Sequence, residues 1–261
     1  MLPTLLTFSI ADIPVTLRLG ALDCERRRQL VAQYGSFATP ATDSALRVDL
    51  QVVDGAPFIT PEGQHAWQVI TWQEGDRIRF RSFYEEGWIA RDQRVAHLDL
   101  RAEGDPENFL RVLYAWECLA HGGLLLHASG IVRNGLGFVF FGHSGAGKTT
   151  IAGLSAPAVV LSDDLVMIRP MADRVVVFGA PFAGALPETA HQSGCTAGGI
   201  LRPDPGILSS HRATANCRSC GAPCVMRTLC HAATGTVRSN HGTLRQPGAD
   251  HSYLPSVFSQ R

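Results

Sequence analysis

Nine consecutive residues, Gly142-His143-Ser144-Gly145-Ala146-Gly147-Lys148-Thr149-Thr150, carry the densest chemistry in this 261-residue chain. They satisfy the pattern G-x-x-x-x-G-K-[ST], which matches on the order of 1% of chains of this length by chance. Glycines at 142, 145 and 147 let the backbone curl until successive N–H groups point inward at phosphate oxygens. Lys148 reaches the outer phosphates as a point charge, and the Thr149 hydroxyl is placed to ligate Mg²⁺. Lys148 is also the only lysine in the chain, against twenty-two arginines. A compact ammonium stands where a guanidinium would overfill the loop. The expectation is a bound nucleoside triphosphate, ATP with Mg²⁺, held by Gly142, Ser144, Gly145, Ala146, Gly147, Lys148, Thr149 and Thr150.

Such a loop works only between a strand and a helix. Leu136 to Phe141 is apolar and reads as a buried strand, and Thr149 to Ser155 is compatible with a short helix whose positive end faces the loop. A second apolar run, Leu124 to Val132, precedes the first across Arg133-Asn134-Gly135. Asn-Gly between hydrophobic runs predicts a hairpin, so the strand feeding the loop is expected to be one arm of an antiparallel pair. In a simple Ras-like NTPase that strand instead opens the domain within a parallel sheet.

Further along, Val159-Val160-Leu161 is a buried-strand run that ends in Ser162-Asp163-Asp164. A hydrophobic strand followed by a carboxylate is how a phosphate-loop protein brings an acid to the metal–phosphate cluster. One of Asp163 and Asp164 can take the metal shell while the other accepts a hydroxyl proton. The competing reading is an ordinary turn or helix cap. His127, on the other arm of the hairpin, reads either as a hydrogen-bonded core residue or as a group that strand pairing carries toward the catalytic end.

The elements that must hold these residues begin with residues 1–103, which read as a β-rich α+β domain. Asp23 is an N-cap for a helix from Cys24 to Tyr34, and Gly35 is its stop. Arg77-Ile78-Arg79-Phe80-Arg81 alternates strictly, as does Val95 to Arg101. The arginine stripe reads as a solvated strand face in preference to a ligand surface. Glu74-Gly75-Asp76 and Glu86-Gly87 are expected turns. Asp105-Pro106-Glu107 opens a helix with an N-cap, a proline at the first helical position and an acid in the first turn. Its stripe runs through Phe109, Leu110, Val112, Leu113, Trp116, Glu117 and Leu119, and Gly122-Gly123 ends it. Leu165 to Ile168 and Arg174 to Phe178 read as strands.

Composition divides the chain. Up to Gln192 there are sixteen Lys+Arg against twenty-one Asp+Glu, a net of −5; from Ser193 onward seven arginines face two aspartates, a net of +5. The division predicts a β-rich domain over 1–103, a phosphate-loop domain over 104–192, and a Cys/Arg-rich tail over 193–261 that is irregular. Within the tail, Cys217, Cys220, Cys224, Cys230 and His231 invite a zinc reading, but the second half lacks paired spacing. The other readings are an unfolded segment or sequence read in a different frame. The zero net charge of the whole chain points to no nucleic-acid or membrane partner. No apolar run approaches the roughly 18 residues that span a bilayer, and the N-terminus lacks a basic leader, so a cytoplasmic location is expected. A homo-oligomer stays open.

The order His127-Ala128, hairpin, Gly142 to Thr149, then Ser162-Asp163-Asp164 resembles the HPr kinase/phosphorylase family over residues 105–190. That family carries a His-Gly strand segment, a Gly-Asp-Ser-Gly-x-Gly-Lys-Ser loop and a strand ending in Ala-Asp-Asp. Gly145 to Thr150 also resembles the loop of ATP-dependent phosphoenolpyruvate carboxykinase, which shares that fold. The resemblance implies an α/β phosphate-loop kinase domain with a mixed sheet. It implies phosphate binding by Lys148, Mg²⁺ binding by Thr149, and Asp164 as general base toward a serine or other hydroxyl on a protein or small-molecule acceptor. Asp163 is left to the metal, and His127 becomes an active-site residue beside Asp164. Three departures stand out. His143 replaces the loop aspartate, and Thr150 replaces a glutamate. The downstream signature is not recognisable, leaving Glu188 as the nearby acid. A second functional reading, a nucleotide-binding accessory module with little turnover, is kept beside the kinase.

Overall fold

The computed structural model describes residues 2–60, 68–182, 184 and 194–201. It is a mixed α/β structure with two mixed sheets and few helices.

The first sheet is built from β1 (Leu5–Ile10), β2 (Ile13–Arg18), β3 (Leu46–Val52), β4 (Ile70–Glu74), β5 (Arg77–Arg81), β6 (Glu85–Ala90) and β7 (Val95–Leu100). Its spatial order is β1-β2-β3-β7-β6-β5-β4. β4 to β7 form an antiparallel meander, whereas β2, β3 and β7 run parallel. Parallel neighbours need a crossover, and α1 (Cys24–Tyr34) provides the one between β2 and β3. Asp23 caps α1 as its sequence predicts, accepting from Arg26 N at 2.9 Å. Gly35 does not stop the chain abruptly; its φ of −62° stays right-handed, and a 3₁₀ turn, Gly35–Phe37, buries Phe37.

Alternation sets the faces of this sheet. Ile78 and Phe80 of β5 point into the core, as do Ala96, Leu98 and Leu100 of β7. The expected Glu86-Gly87 turn is corrected: Gly87 lies inside β6, paired with Phe80 and Leu98. A Cβ there would come within 2.2 Å of the His97 carbonyl oxygen, so glycine serves close strand approach and not reversal. The reversal is made one step earlier, where Ser82 N donates to Glu85 O.

α2 (Glu107–Ala120) follows, with Asp105 Oδ1 accepting from Glu107 N at 2.7 Å. Its buried residues Phe109, Leu110, Val112, Leu113 and Tyr114 join one hydrophobic cluster. That cluster takes Phe80, Ile89 and Leu98 from the first sheet and Leu165, Met167 and Phe178 from the second. Each such fully buried large apolar side chain contributes roughly 1.5–3 kcal/mol. Glu117 lies on the same helix at 1% exposure, where Arg91 Nε (3.0 Å) and Arg94 Nη1 (2.5 Å) neutralise it. The stripe therefore tolerates an acid because two arginines from the β6–β7 turn reach over it.

The second sheet comprises β8 (Leu124–Arg133), β9 (Leu136–Phe141), β10 (Val159–Ser162), β11 (Leu165–Met171), β12 (Arg174–Gly179) and β13 (Gly194–Leu201), with α3 (Lys148–Leu154) after β9. The predicted hairpin forms: Asn134 and Gly135 have φ of 52° and 74°, and Ala128 to Arg133 pair antiparallel with Phe141 to Leu136. β10 and β11 act as one bent strand along the other edge of β8, which pairs with β10 through 130–132 and with β11 through 124–127. β12 pairs with β11, β13 with β12, and β13 closes onto β9 in parallel, so the ladder returns on itself. Inside the closed ladder sit Leu124, Ala128, Val139, Leu161, Val166, Ile168 and Val177.

Residues 194–201, which the composition change assigns to the tail, thus form a paired strand. The remaining tail, including the Cys217–His231 cluster, and Glu188 lie outside the described residues. Among the described residues no helix is long and apolar enough to cross a membrane.

Candidate functional site

The site gathers where the β8–β9 hairpin, the loop after β9 and the β10–β11 bend meet. The loop curls as its glycines require: Gly145 and Gly147 take φ of 79° and 87°, the left-handed region that a side chain resists. A Cβ at either position meets no protein atom within 4 Å, so only the backbone conformation demands glycine there. Ala146 N donates to His143 O at 3.1 Å and tightens the turn.

Lys148 opens α3 and is 7% exposed. Its Nζ donates to the carbonyls of Gly142 (3.0 Å) and His143 (3.2 Å), so the ammonium sits under its own loop. Ser129 Oγ, from β8, donates to Lys148 O at 3.0 Å and ties the helix start to the hairpin. Thr149 is half-buried, Thr150 is exposed, and Ser144 is exposed at the loop's crest.

The two aspartates come to this loop through a strand irregularity. Pairing between β10 and β8 shifts register between Val160 and Ser162, and Asp164 O then accepts from Ala128 N at 2.8 Å. The bend turns Asp163 and Asp164 out of the ladder beside the loop. Asp163 is 3% exposed, and Gly184 packs so closely on it that a Cβ there would lie 1.9 Å from Oδ1. Asp164 is bracketed: His127 Nε2 donates to Oδ1 at 3.1 Å, and Arg111 Nη2 forms an ion pair with Oδ2 at 3.2 Å. Burial pushes the Asp164 carboxyl up, but the His127 hydrogen bond and the charges of Arg111, His127 and Lys148 together hold it below its ordinary value.

These groups line one cleft of about 490 Å³, formed by Ser144, Gly145, Gly147, Lys148, Thr149 and Thr150 with His127, Asp163, Asp164, Arg111 and Gly184. Of the expected residues, Gly142 and Ala146 belong to the loop but do not line the cleft. Sequence reading passed over two residues of the cleft, Gly184 and Arg111, and Arg111 is the charged one. It stands four residues after Glu107, a spacing that reads as a surface helix pair. That pair does form, with Arg111 Nη2 2.5 Å from Glu107 Oε1, but Arg111 also reaches Asp164, 53 positions away, which no local signal announces.

The residues fit a nucleotide and Mg²⁺. The open glycine positions leave room for phosphate against the loop backbone. Thr149 and Asp163 are oxygen donors of the hard kind that Mg²⁺ takes, usually one or two from protein beside phosphate and water. Among the described residues no three His, Cys, Asp or Glu side chains group to hold a metal by themselves. Compared with protein-family models the chain matches none, and compared with curated proteins it matches none. The functional reading therefore rests on the motif and on this geometry.

Proposed function

We propose that the chain binds Mg·ATP in this cleft and transfers the γ-phosphoryl group to a hydroxyl acceptor, as a phosphate-loop kinase domain of the HPr-kinase type. The observation that carries the reading is the β10–β11 bend, which sets Asp163 and Asp164 in the same cleft as Lys148 and Thr149. Lys148 and the loop backbone hold the β- and γ-phosphates. Thr149 and Asp163 would hold Mg²⁺, which when bound would neutralise charge that develops on the phosphates. Asp164 accepts the acceptor's hydroxyl proton as the oxygen bonds to the γ-phosphorus and the bond from that phosphorus to the β–γ bridging oxygen breaks. ADP leaves with the bridging oxygen, and Asp164 returns its proton to water. His127 orients the carboxylate through Oδ1.

One observation favours the second reading, a nucleotide-binding module with little turnover. Both oxygens of Asp164 are already engaged by cationic or donor groups, and a carboxylate held low is a weaker base.

One substitution tests the nucleotide binding that both readings share, and a second separates them. Lys148→Ala is expected to weaken Mg·ATP binding at least tenfold, about 1.4 kcal/mol, and a folded variant with unchanged affinity would falsify the phosphate-loop reading. Asp164→Asn preserves size and should keep ATP affinity while lowering phosphoryl transfer by about 10²–10⁴-fold. Transfer at the wild-type rate would make the carboxylate structural, and binding without any wild-type transfer would establish the accessory module.

A further inference from the structure

Arg111 has more reach than its helix pair with Glu107 requires. Its guanidinium contacts the Asp164 oxygen that His127 leaves, at 3.2 Å, and it lines the same cleft as Lys148 and Thr149. Both partners are sheltered, each with a side chain 18% exposed, so charges there act through less water than on the surface. The guanidinium is anchored from behind. Glu107 Oε1 accepts from Arg111 Nε (3.0 Å) and Nη2 (2.5 Å), while Glu107 Oε2 accepts from Gln33 of α1 at 2.7 Å. Gln33 also donates to Pro181 O (3.1 Å), and the Phe182 ring lies 5.7 Å from the guanidinium carbon. A planar fork held this way is pre-organised, so little is lost when it binds an anion.

The distances of the proposed chemistry place that anion. A hydroxyl giving its proton to Asp164 stands about 3 Å from the carboxylate, with the attacked phosphorus about 3–3.5 Å beyond it. A guanidinium in contact with the same carboxylate is then one short swing from the equatorial oxygens of the phosphoryl group in transit. Charge spreads over those oxygens during transfer, and an arginine reaching them from outside the loop lowers the barrier further. Lys148 approaches from the loop side, tied to Gly142 O and His143 O; Arg111 comes from a different element, α2.

Building on the kinase reading, we propose that Arg111 binds the γ-phosphoryl group of the nucleotide, exchanging its contact with Asp164 for a phosphate oxygen. Without a γ-phosphate, Arg111 caps the base. With one, it moves onto the phosphate and leaves Oδ2 of Asp164 open to the acceptor hydroxyl. ADP cannot draw it away, so the base is released only when there is a group to transfer.

The test is a binding comparison that needs no turnover. Calorimetry measures Mg·ADP and the Mg complex of the non-hydrolysable β,γ-imido analogue of ATP on wild type, Arg111→Met and Arg111→Lys. Wild type is expected to prefer the analogue. Arg111→Met should lose at least about tenfold for the analogue, the range of a charge-assisted hydrogen bond, with ADP affinity unchanged within about threefold. Arg111→Lys should fall between, because an ammonium restores charge without the fork. If Arg111→Met does not unfold cooperatively, Arg111→Gln takes its place in the same comparison. A variant that keeps the wild-type ratio of analogue to ADP affinity overturns the proposal, even where its melting temperature drops, since that result assigns Arg111 to holding α2 against the β10–β11 bend. Equal wild-type affinity for the two nucleotides overturns it while leaving the phosphate-loop reading intact. Binding of neither nucleotide overturns both.

Discussion

Two arrays of charge, one on the open face of the first sheet and one in the cleft of the second, use the same residue types to opposite ends. On β5, Arg79 Nε meets Glu74 at 2.6 Å, Arg81 Nε meets Glu86 at 2.8 Å, and Arg77 lies 4.1 Å over the Trp88 ring. Every partner is on an adjacent strand, and both acids stand five residues from their arginine. The stripe is closed on itself, as a solvated strand face should be. In the cleft, Arg111, His127, Lys148 and Asp164 come from α2, β8, α3 and the β10–β11 bend. No pair of them is local, and all four line one cavity. Pairing between sequence neighbours makes a surface, whereas convergence of distant groups on a cavity makes a site.

That contrast is open to attack first where charge is buried for structure alone. Glu117, 1% exposed, depends on Arg91 and Arg94, whose side chains are 37% and 33% exposed. Replacing both arginines by methionine keeps their apolar stems and strands the carboxylate, and should cost about 3–5 kcal/mol in a denaturant titration. A loss below 1 kcal/mol would mean that water already satisfies Glu117.

Glu85 sharpens the comparison with a pH dependence. It is 3% exposed beside Ser82, Asn108 and Asp105, and burial pushes its carboxyl up to about 7. The folded state therefore holds a proton that the unfolded state releases near pH 4.5. Stability from the protonated form is complete below about pH 4.5 and is lost as pH rises through about 7, a total of about 3 kcal/mol. Glu85→Gln, neutral throughout, should match wild type near pH 4.5 and exceed it by about that amount at pH 8 in thermal unfolding. Equal melting temperatures for the two proteins at pH 8 would place the carboxylate in a wetter setting than its burial implies.

The smallest effect belongs to the open face. Arg79→Ala should change stability by less than about 1 kcal/mol and leave nucleotide affinity untouched, because an exposed pair contributes little. Any loss of ATP binding in this variant would contradict the separation of the two arrays.

Local chemistry was legible in advance wherever it depended on neighbours in the chain. The Asn134-Gly135 hairpin, the Asp23 cap and the β5 alternation all form as read, since turn dihedrals, capping bonds and strand faces are set within a few residues. A similar two-residue turn at Ala11-Asp12, with φ of 51° and 59°, carried no such signal. Alanine there lacks glycine's freedom and is held left-handed by the pairing of β1 with β2. Gly87 was misread for the complementary reason. A glycine following two glutamates looks like a turn, but the backbone of β7 demands it.

The sequence by itself determined the glycine-rich loop, its flanking strand and helix, and the acid pair after the next strand, because each is a short-range pattern of residue type. Only the tertiary structure decided that the ladder closes through Gly194–Leu201, that a register shift turns Asp163 and Asp164 to the loop, and that Arg111 joins them. Strand order, bulges and helix docking are settled by how apolar faces from distant segments fill one core. A residue such as Arg111 reads locally as half of a helix pair until that packing gives it a second partner.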